Sequence, residues 1–203
     1  MEKNLNIIGL TGPTGSGKTQ ITEIVYSNFS NVFIINADKV AHKVIVENLD
    51  CKKNIIETFS NVILNADGSI NRKKLGQIVF SNKHKLAKLN KIMFPYITIS
   101  ILNLVANVQK NYKLILLDAP TLIESGLDKI CEKVIVVVAN RSVRKNRIIE
   151  RDNLTDLQAN SRLNNQLKYN EYLSKADYII YNNRDIEYLK KQVYNIFSDI
   201  NKI

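Results

Sequence analysis

The chain has 203 residues, 45% of them apolar and 24% charged, and a net charge of +10. That size makes one large domain, or a core with small insertions, and is ample to bury an interior. No signal-peptide pattern is read at the N-terminus, and the longest apolar run, VIVVVA at 134–139, is far too short to span a bilayer. Repeats and Pro/Ser/Gly-rich linkers are absent from the sequence, and Cys51 and Cys131 have no metal-like spacing.

The first predicted strand covers residues 5–11, LNIIGLT, and runs into GPTGSGKT at 12–19. This turn fits the phosphate-loop pattern G-x-x-x-x-G-K-[ST] through Gly12, Gly17, Lys18 and Thr19. Glycines let successive amides turn inward around an anion, and the helix that follows adds its N-terminal partial charge. Ile21, Ile24, Val25 and Phe29 recur at helical spacing after the loop, which is the context the pattern requires. In that setting the lysine reaches the β- and γ-phosphates and the Thr19 hydroxyl holds Mg²⁺. Beside such a loop, the two cysteines read as reduced cytosolic thiols.

The second strand is NVFIIN, 31–36. About 75 residues then pass with no strand pattern. Helical groupings fill them (Leu75, Ile78, Val79; Leu86, Leu89, Ile92, Met93), with a turn at Ala66–Ser69. A stretch this long is not a loop; it reads as a helical insertion beside the ligand-binding edge of the sheet. YKLILLD (112–118), KVIVVVA (133–139) and DYIIY (177–181) complete five strands, and a helix at 186–200 closes the chain. Continuous apolar strands alternating with helices predict a three-layer α/β fold around a parallel sheet.

Several side chains fall where chemistry is done. Asp38 leaves the second strand and suits either a general base or a helix N-cap. Asp118 ends the third strand, the usual place for a carboxylate near Mg²⁺, the lesser alternative being a turn formed with Pro120. Glu124 follows and can face a substrate or solvent. Lysine outnumbers arginine 22 to 7, yet five arginines (141, 144, 147, 151, 162) crowd one segment. Arg144, Arg147 and Arg151 share a helix face, where like charges oppose one another by a few tenths of a kcal/mol per pair. Planar bidentate donors concentrated in this way suit phosphate oxygens, and a mobile lid over ATP is the favoured reading. His42 and His84 have no partner pattern.

Taken in order, IGLTGPTGSGKT, INADKVAHKV, DGSINRKKLGQIVFSN, KLAKLNKIMFPYI, LDAPTLIESGLD, NRIIERD, SRLNNQ and KADYIIYNN resemble the dephospho-CoA kinase family across nearly the whole chain. The resemblance implies phosphorylation of the ribose 3′-hydroxyl of dephospho-CoA by ATP with Mg²⁺. It also implies a P-loop kinase core at 1–38, 112–143 and 166–203, a helical substrate-binding insert at 39–111 and a lid at 144–165. By matching positions, Asp38, Lys18 and Arg147 are the catalytic set. ATP falls to Gly12, Gly15, Ser16, Gly17, Lys18, Thr19, the amide of Gln20, Arg147 and Arg151. Asp38, Asp118, Glu124 and Arg162 face the substrate, Arg162 pairing with Gln166 in an R-x-x-x-Q pattern. Thr19 and Asp118 take the metal. A cytoplasmic monomer or small homo-oligomer is expected, without nucleic acid or membrane.

The sequence departs from the family pattern at several points. Asn36 stands where Asp is frequent, Phe94 where His is frequent, and Tyr181 and Arg184 where Asp and Gly are common. Pro13-Thr14 is also an unusual spelling of the loop. The rival readings are another small-molecule kinase for nucleosides or nucleotides, and an RNA-modifying P-loop enzyme. The latter resembles D-S-x-Q after the second strand, where this chain reads NADKV. A GTP switch is disfavoured because no N-K-x-D follows the fourth strand.

Overall fold

The computed structural model describes residues 6–200. Leu5, expected to open the first strand, lies outside them, as do the first and last few residues of the expected core. Each predicted strand contains an observed one, with Tyr112 of the third left two residues outside it: β1 Asn6–Thr11, β2 Val32–Asn36, β3 Leu114–Asp118, β4 Lys133–Val138 and β5 Tyr178–Tyr181. They form one five-stranded sheet in the order β2-β3-β1-β4-β5. Pairing is parallel between β1 and β3, β1 and β4, and β4 and β5.

All of β3, and β4 from Val134 onward, is buried, which is why these strands read as unbroken apolar runs. The helices, in chain order, are α1 Lys18–Asn28, α2 Ala37–Glu47, α3 Leu49–Phe59, α4 Arg72–Phe80, α5 Lys83–Val108, α6 Arg141–Asp152, α7 Asp156–Asn164, α8 Tyr169–Leu173 and α9 Ile186–Ile200. Ile8, Leu10, Leu116, Ile135 and Val137 from one face of the sheet pack with Ile21 and Val25 of α1 and Val193 and Phe197 of α9. Leu10 is level with Asp118, and Thr11 with Val136. The strands therefore deliver their C-terminal ends to one edge.

The chain divides into two compact units, with Asn36–Asn107 forming the second. This second unit is helical, as its long strandless sequence predicts. Asn48 caps α3 by accepting from Cys51 N at 2.8 Å, and Asn71 caps α4 by accepting from Lys74 N at 2.9 Å. The expected turn forms between Asn65 and Ser69, with Gly68 at φ 76°. α5 differs from the sequence reading, in which only its first turns are patterned. It runs 26 residues straight through Pro95. A buried stripe of Leu89, Met93, Ile97, Ile101 and Val105 sustains it and offsets the hydrogen bond that proline cannot make. By length and composition alone α5 passes the test for a membrane span, a property it shares with core helices of water-soluble proteins.

Candidate phosphate-binding site

The loop leaves β1 at Gly12, whose φ of 145° few side chains tolerate. A Cβ there would stand 2.2 Å from Val137 O, a backbone atom fixed in the sheet. Gly17, at φ 96°, is equally constrained: its Cβ would lie 2.0 Å from Asn182 Nδ2. These contacts are the physical reason for glycine at the two positions. Between them, Ser16 N donates to Pro13 O at 3.1 Å and closes the turn. Gly15 lies under α6 at φ 76°.

Among the described residues the buried polar side chains are Thr11, Ser16, Asp118 and Asn182, and all four belong to this loop or to the strand ends beside it. Ser16 Oγ meets no hydrogen-bond partner among the described residues. A buried hydroxyl in that state costs free energy that an anionic oxygen in the loop would relieve. Lys18 Nζ donates to Gly12 O at 2.7 Å, so the ammonium lies across the loop it is expected to serve. Thr19 is exposed at the start of α1. The amide of Gln20 donates to Gly17 O at 3.1 Å within the helix's first turn.

The arginines do not act alike. Arg144 Nε donates to Thr14 O at 3.0 Å, and its Nη2 to Gln166 Oε1 at 3.2 Å. Gln166 Oε1 also accepts from Thr14 N at 3.1 Å, so the two peptide groups flanking Thr14 are both held. Arg147 Nη1 lies 3.4 Å from both Gly15 O and Ser16 O, long contacts that place it on the loop without locking it. Burial lowers the pKa of both guanidiniums. Arg151 is occupied elsewhere: it donates twice to Asp152 at 2.8 Å, and Arg162 donates to the same carboxylate at 2.5 Å. The Arg151 hydrogen bonds, chiefly, hold the Asp152 carboxyl below the usual range. α6 and α7 share a small apolar cluster of Ile148, Ala159 and Leu163, so the arginine segment has its own packed centre.

A cleft of about 560 Å³ opens between Pro13, Arg144, Gln166, Tyr169 and Tyr172. Asp118 is buried at the end of β3. Glu124 is exposed yet crowded enough that desolvation raises its carboxyl pKa; Glu171 raises it further and Lys18 opposes the shift. Glu124 thus shares an electrostatic environment with the loop lysine. Burial pushes the Cys131 thiol up to about 12, an inert group.

Asp38 sits in the first turn of α2, within the helical unit, and is exposed. It is not the cap. Asn36 takes that role, accepting from Lys39 N at 2.9 Å. The alternative of Asp38 as an N-cap is thereby removed, and the position where the family pattern has Asp is occupied by a residue that caps equally well.

Residues 6–187 match the dephospho-CoA kinase family. The chain belongs to that family. The dephospho-CoA kinase of Fusobacterium nucleatum is 42% identical over 192 residues, covering 94% of this chain and 96% of that one. The dephospho-CoA kinase of Listeria monocytogenes is 36% identical over 188 residues, covering 92% and 93%. Among solved structures, dephospho-CoA kinase from Campylobacter jejuni is similar with a TM-score of 0.70 at 33% identity, covering 98% of each chain. TT1252 from Thermus thermophilus reaches 0.81 at 21% identity over 97% of this chain and 98% of that one, a likeness of fold.

Three of the departures from the dephospho-CoA kinase pattern have settings that the structure describes. Tyr181 N donates to Gln192 Oε1 at 2.9 Å and Tyr181 O accepts from Gln192 Nε2 at 3.0 Å, tying β5 to α9 through backbone groups that any residue supplies. Arg184 lies over the Tyr188 ring at 4.6 Å. Phe94 is half-buried in α5. Asn182 and Asp152 went unassigned in the sequence reading. For Asp152 the signal was present, since a carboxylate between arginines of one helical segment invites pairing. Asn182 carries no local signal, because its partners in the loop and α1, Ser16 and Gln20, lie more than 160 residues earlier.

Proposed function

We propose that the chain transfers the γ-phosphoryl group of ATP to the ribose 3′-hydroxyl of dephospho-CoA, giving coenzyme A and ADP. The observation that carries the phosphoryl-transfer reading is the loop, closed to any Cβ at Gly12 and Gly17, holding an unpartnered Ser16 hydroxyl and crossed by Lys18. The acceptor rests on the family match.

The loop amides and the start of α1 bind the phosphates, and Lys18 swings from Gly12 O to the β- and γ-phosphates. Asp38 accepts the proton of the 3′-hydroxyl. That oxygen bonds to the γ-phosphorus as the bond to the β–γ bridging oxygen breaks, and the electron pair leaves on ADP. Arg147 turns from the loop carbonyls to meet charge on the transferring group, and Arg151 and Arg162 follow once Asp152 releases them. Mg²⁺, when bound, would supply charge neutralisation on the phosphates. Thr19 Oγ1 and the Asp118 carboxylate would hold it. Among the described residues no group of three or more His, Cys, Asp or Glu side chains stands ready for a metal. Two protein oxygens supplemented by water and phosphate suit Mg²⁺.

The helical unit at Asn36–Asn107 is proposed to take the acceptor, α6 and α7 to act as the lid, and Glu124 to line the acceptor's path. The reaction needs neither nucleic acid nor membrane and belongs to the cytoplasm, in a monomer or small homo-oligomer. The test is incubation with ATP, Mg²⁺ and a panel of hydroxyl acceptors, with phosphoryl gain read by mass. Dephospho-CoA should gain one phosphate, at the ribose, and outpace every other acceptor. Faster turnover of a nucleoside or nucleotide overturns the assignment.

A further inference from the structure

Asn182 follows β5 directly, and its backbone N–H donates to Val138 O at 2.8 Å, which extends the β4–β5 ladder and fixes where the side chain points. That side chain is 2% exposed. Its Nδ2 donates to Ser16 O and to Gln20 Oε1, both at 2.9 Å, so both of its N–H groups are spent on the phosphate loop and the helix that follows. Its Oδ1 accepts from Arg147 Nη2 at 3.4 Å. Ser16 O is thereby shared between Asn182 and Arg147, through a short bond and a long one. Gly17 makes room for this arrangement, since a Cβ there would collide with Asn182 Nδ2.

We propose that Asn182 is a positioning residue of the phosphate loop: its amide sets the Ser16–Gly17 peptide for phosphate, and its carbonyl holds Arg147 in reserve beside it. The inference rests on the phosphoryl-transfer reading of the loop and not on the identity of the acceptor. The two bonds of 2.9 Å keep the loop shaped when Arg147 departs, whereas the 3.4 Å contacts are weak enough to be given up. Asn supplies both functions at once, two donors toward the loop and one acceptor toward the arginine. Aspartate has the same outline but no donor, and its charge attracts Arg147 more strongly.

The test uses the full chain. Affinity for a non-hydrolysable ATP analogue is measured by calorimetry, alongside kcat and melting temperature. Asn182→Asp should weaken analogue binding about tenfold or more, the scale of one lost hydrogen bond to the loop. It should also lower kcat, because Arg147 is retained on the new carboxylate. Asn182→Ala should weaken analogue binding similarly, and Arg147→Lys should then cost less in that background than in the native chain, because the two residues act together. Analogue affinity and kcat unchanged in both variants, with only melting lowered, overturn the proposal. So do effects of the two sites that simply multiply. Should Asn182→Asp fail to fold, the alanine variant decides by the same readouts, and failure of both assigns Asn182 to the fold and overturns the proposal. Native analogue affinity without any phosphorylation of dephospho-CoA would instead count against the acceptor assignment alone.

Discussion

Two buried regions of the sheet-bearing unit lie beside each other and differ in their materials. Between the sheet and helices α1 and α9, the packing is entirely apolar, from Ile8 and Leu10 to Phe197 and Ile200. At the C-terminal edge of the same strands lie the buried polar side chains of the described residues, Thr11, Ser16, Asp118 and Asn182. Burying polar groups costs free energy unless they find partners, whereas burying apolar groups is the main drive to fold. A chain that tolerates the costly arrangement at one end of its sheet has placed those groups for something besides stability. The apolar layer should therefore govern melting, and the polar edge should govern turnover.

The largest separation is expected at Lys18. Losing a positioned charge at a transferring phosphoryl group costs about 10² to 10³ in rate. Lys18→Ala should lose turnover on at least that scale with little change in melting, as a paired steady-state assay and thermal melt would show. A large fall in melting temperature would blur the two regions into one. Phe197→Ala probes the other side. The ring is fully buried, 5.0 Å from that of Phe29, and truncation of such a side chain typically costs about 3–5 kcal/mol. Urea unfolding should register that loss, while the folded fraction keeps native ATP affinity. A matching loss of affinity would mean that the core also tunes the site.

A smaller effect sharpens the boundary. Glu124 has a carboxyl pKa raised above its ordinary 4.5, chiefly by desolvation. Its protonated form fits the fold better than its charged form. The stability it contributes is complete below pH 4.5 and is lost as pH rises through the raised value. Glu124→Gln, neutral throughout, should melt slightly above the native chain at pH 8, and the difference should close on acidification below pH 4.5. A difference that does not vary with pH would trace to packing instead of charge.

The apolar layer was the more legible of the two regions. Unbroken runs such as LILLD and helical spacings such as Leu189, Val193, Phe197 state their burial locally, and all five strands followed from them. The loop was legible because its glycines all take the positive φ that a phosphate-binding turn demands, whatever distant atoms also crowd them. What escaped the sequence depends on distance along the chain. Asn182 meets Ser16 only because β4 and β5 pair, and Gln166 meets Thr14 across 152 positions. Arg144, grouped with Arg147 and Arg151 by helical spacing, proved to serve Thr14 of the loop. The role of Asp38 was open for a different reason: Asp is a good cap, and only the end of β2 at Asn36 shows that α2 starts at Ala37, with Asn36 as its cap.

Asp38 tests the mechanism most directly. Because Asn36 caps α2, Asp38→Asn removes the carboxylate and leaves the cap intact. The measurement is kcat at saturating ATP and dephospho-CoA, with melting and ATP binding followed on the same preparation. A positioned base contributes roughly 10² to 10⁴ in rate, so turnover should fall at least about a hundredfold while melting and ATP affinity stay near native. Normal turnover in this variant would contradict the base assignment and move it to Asp118 or Glu124.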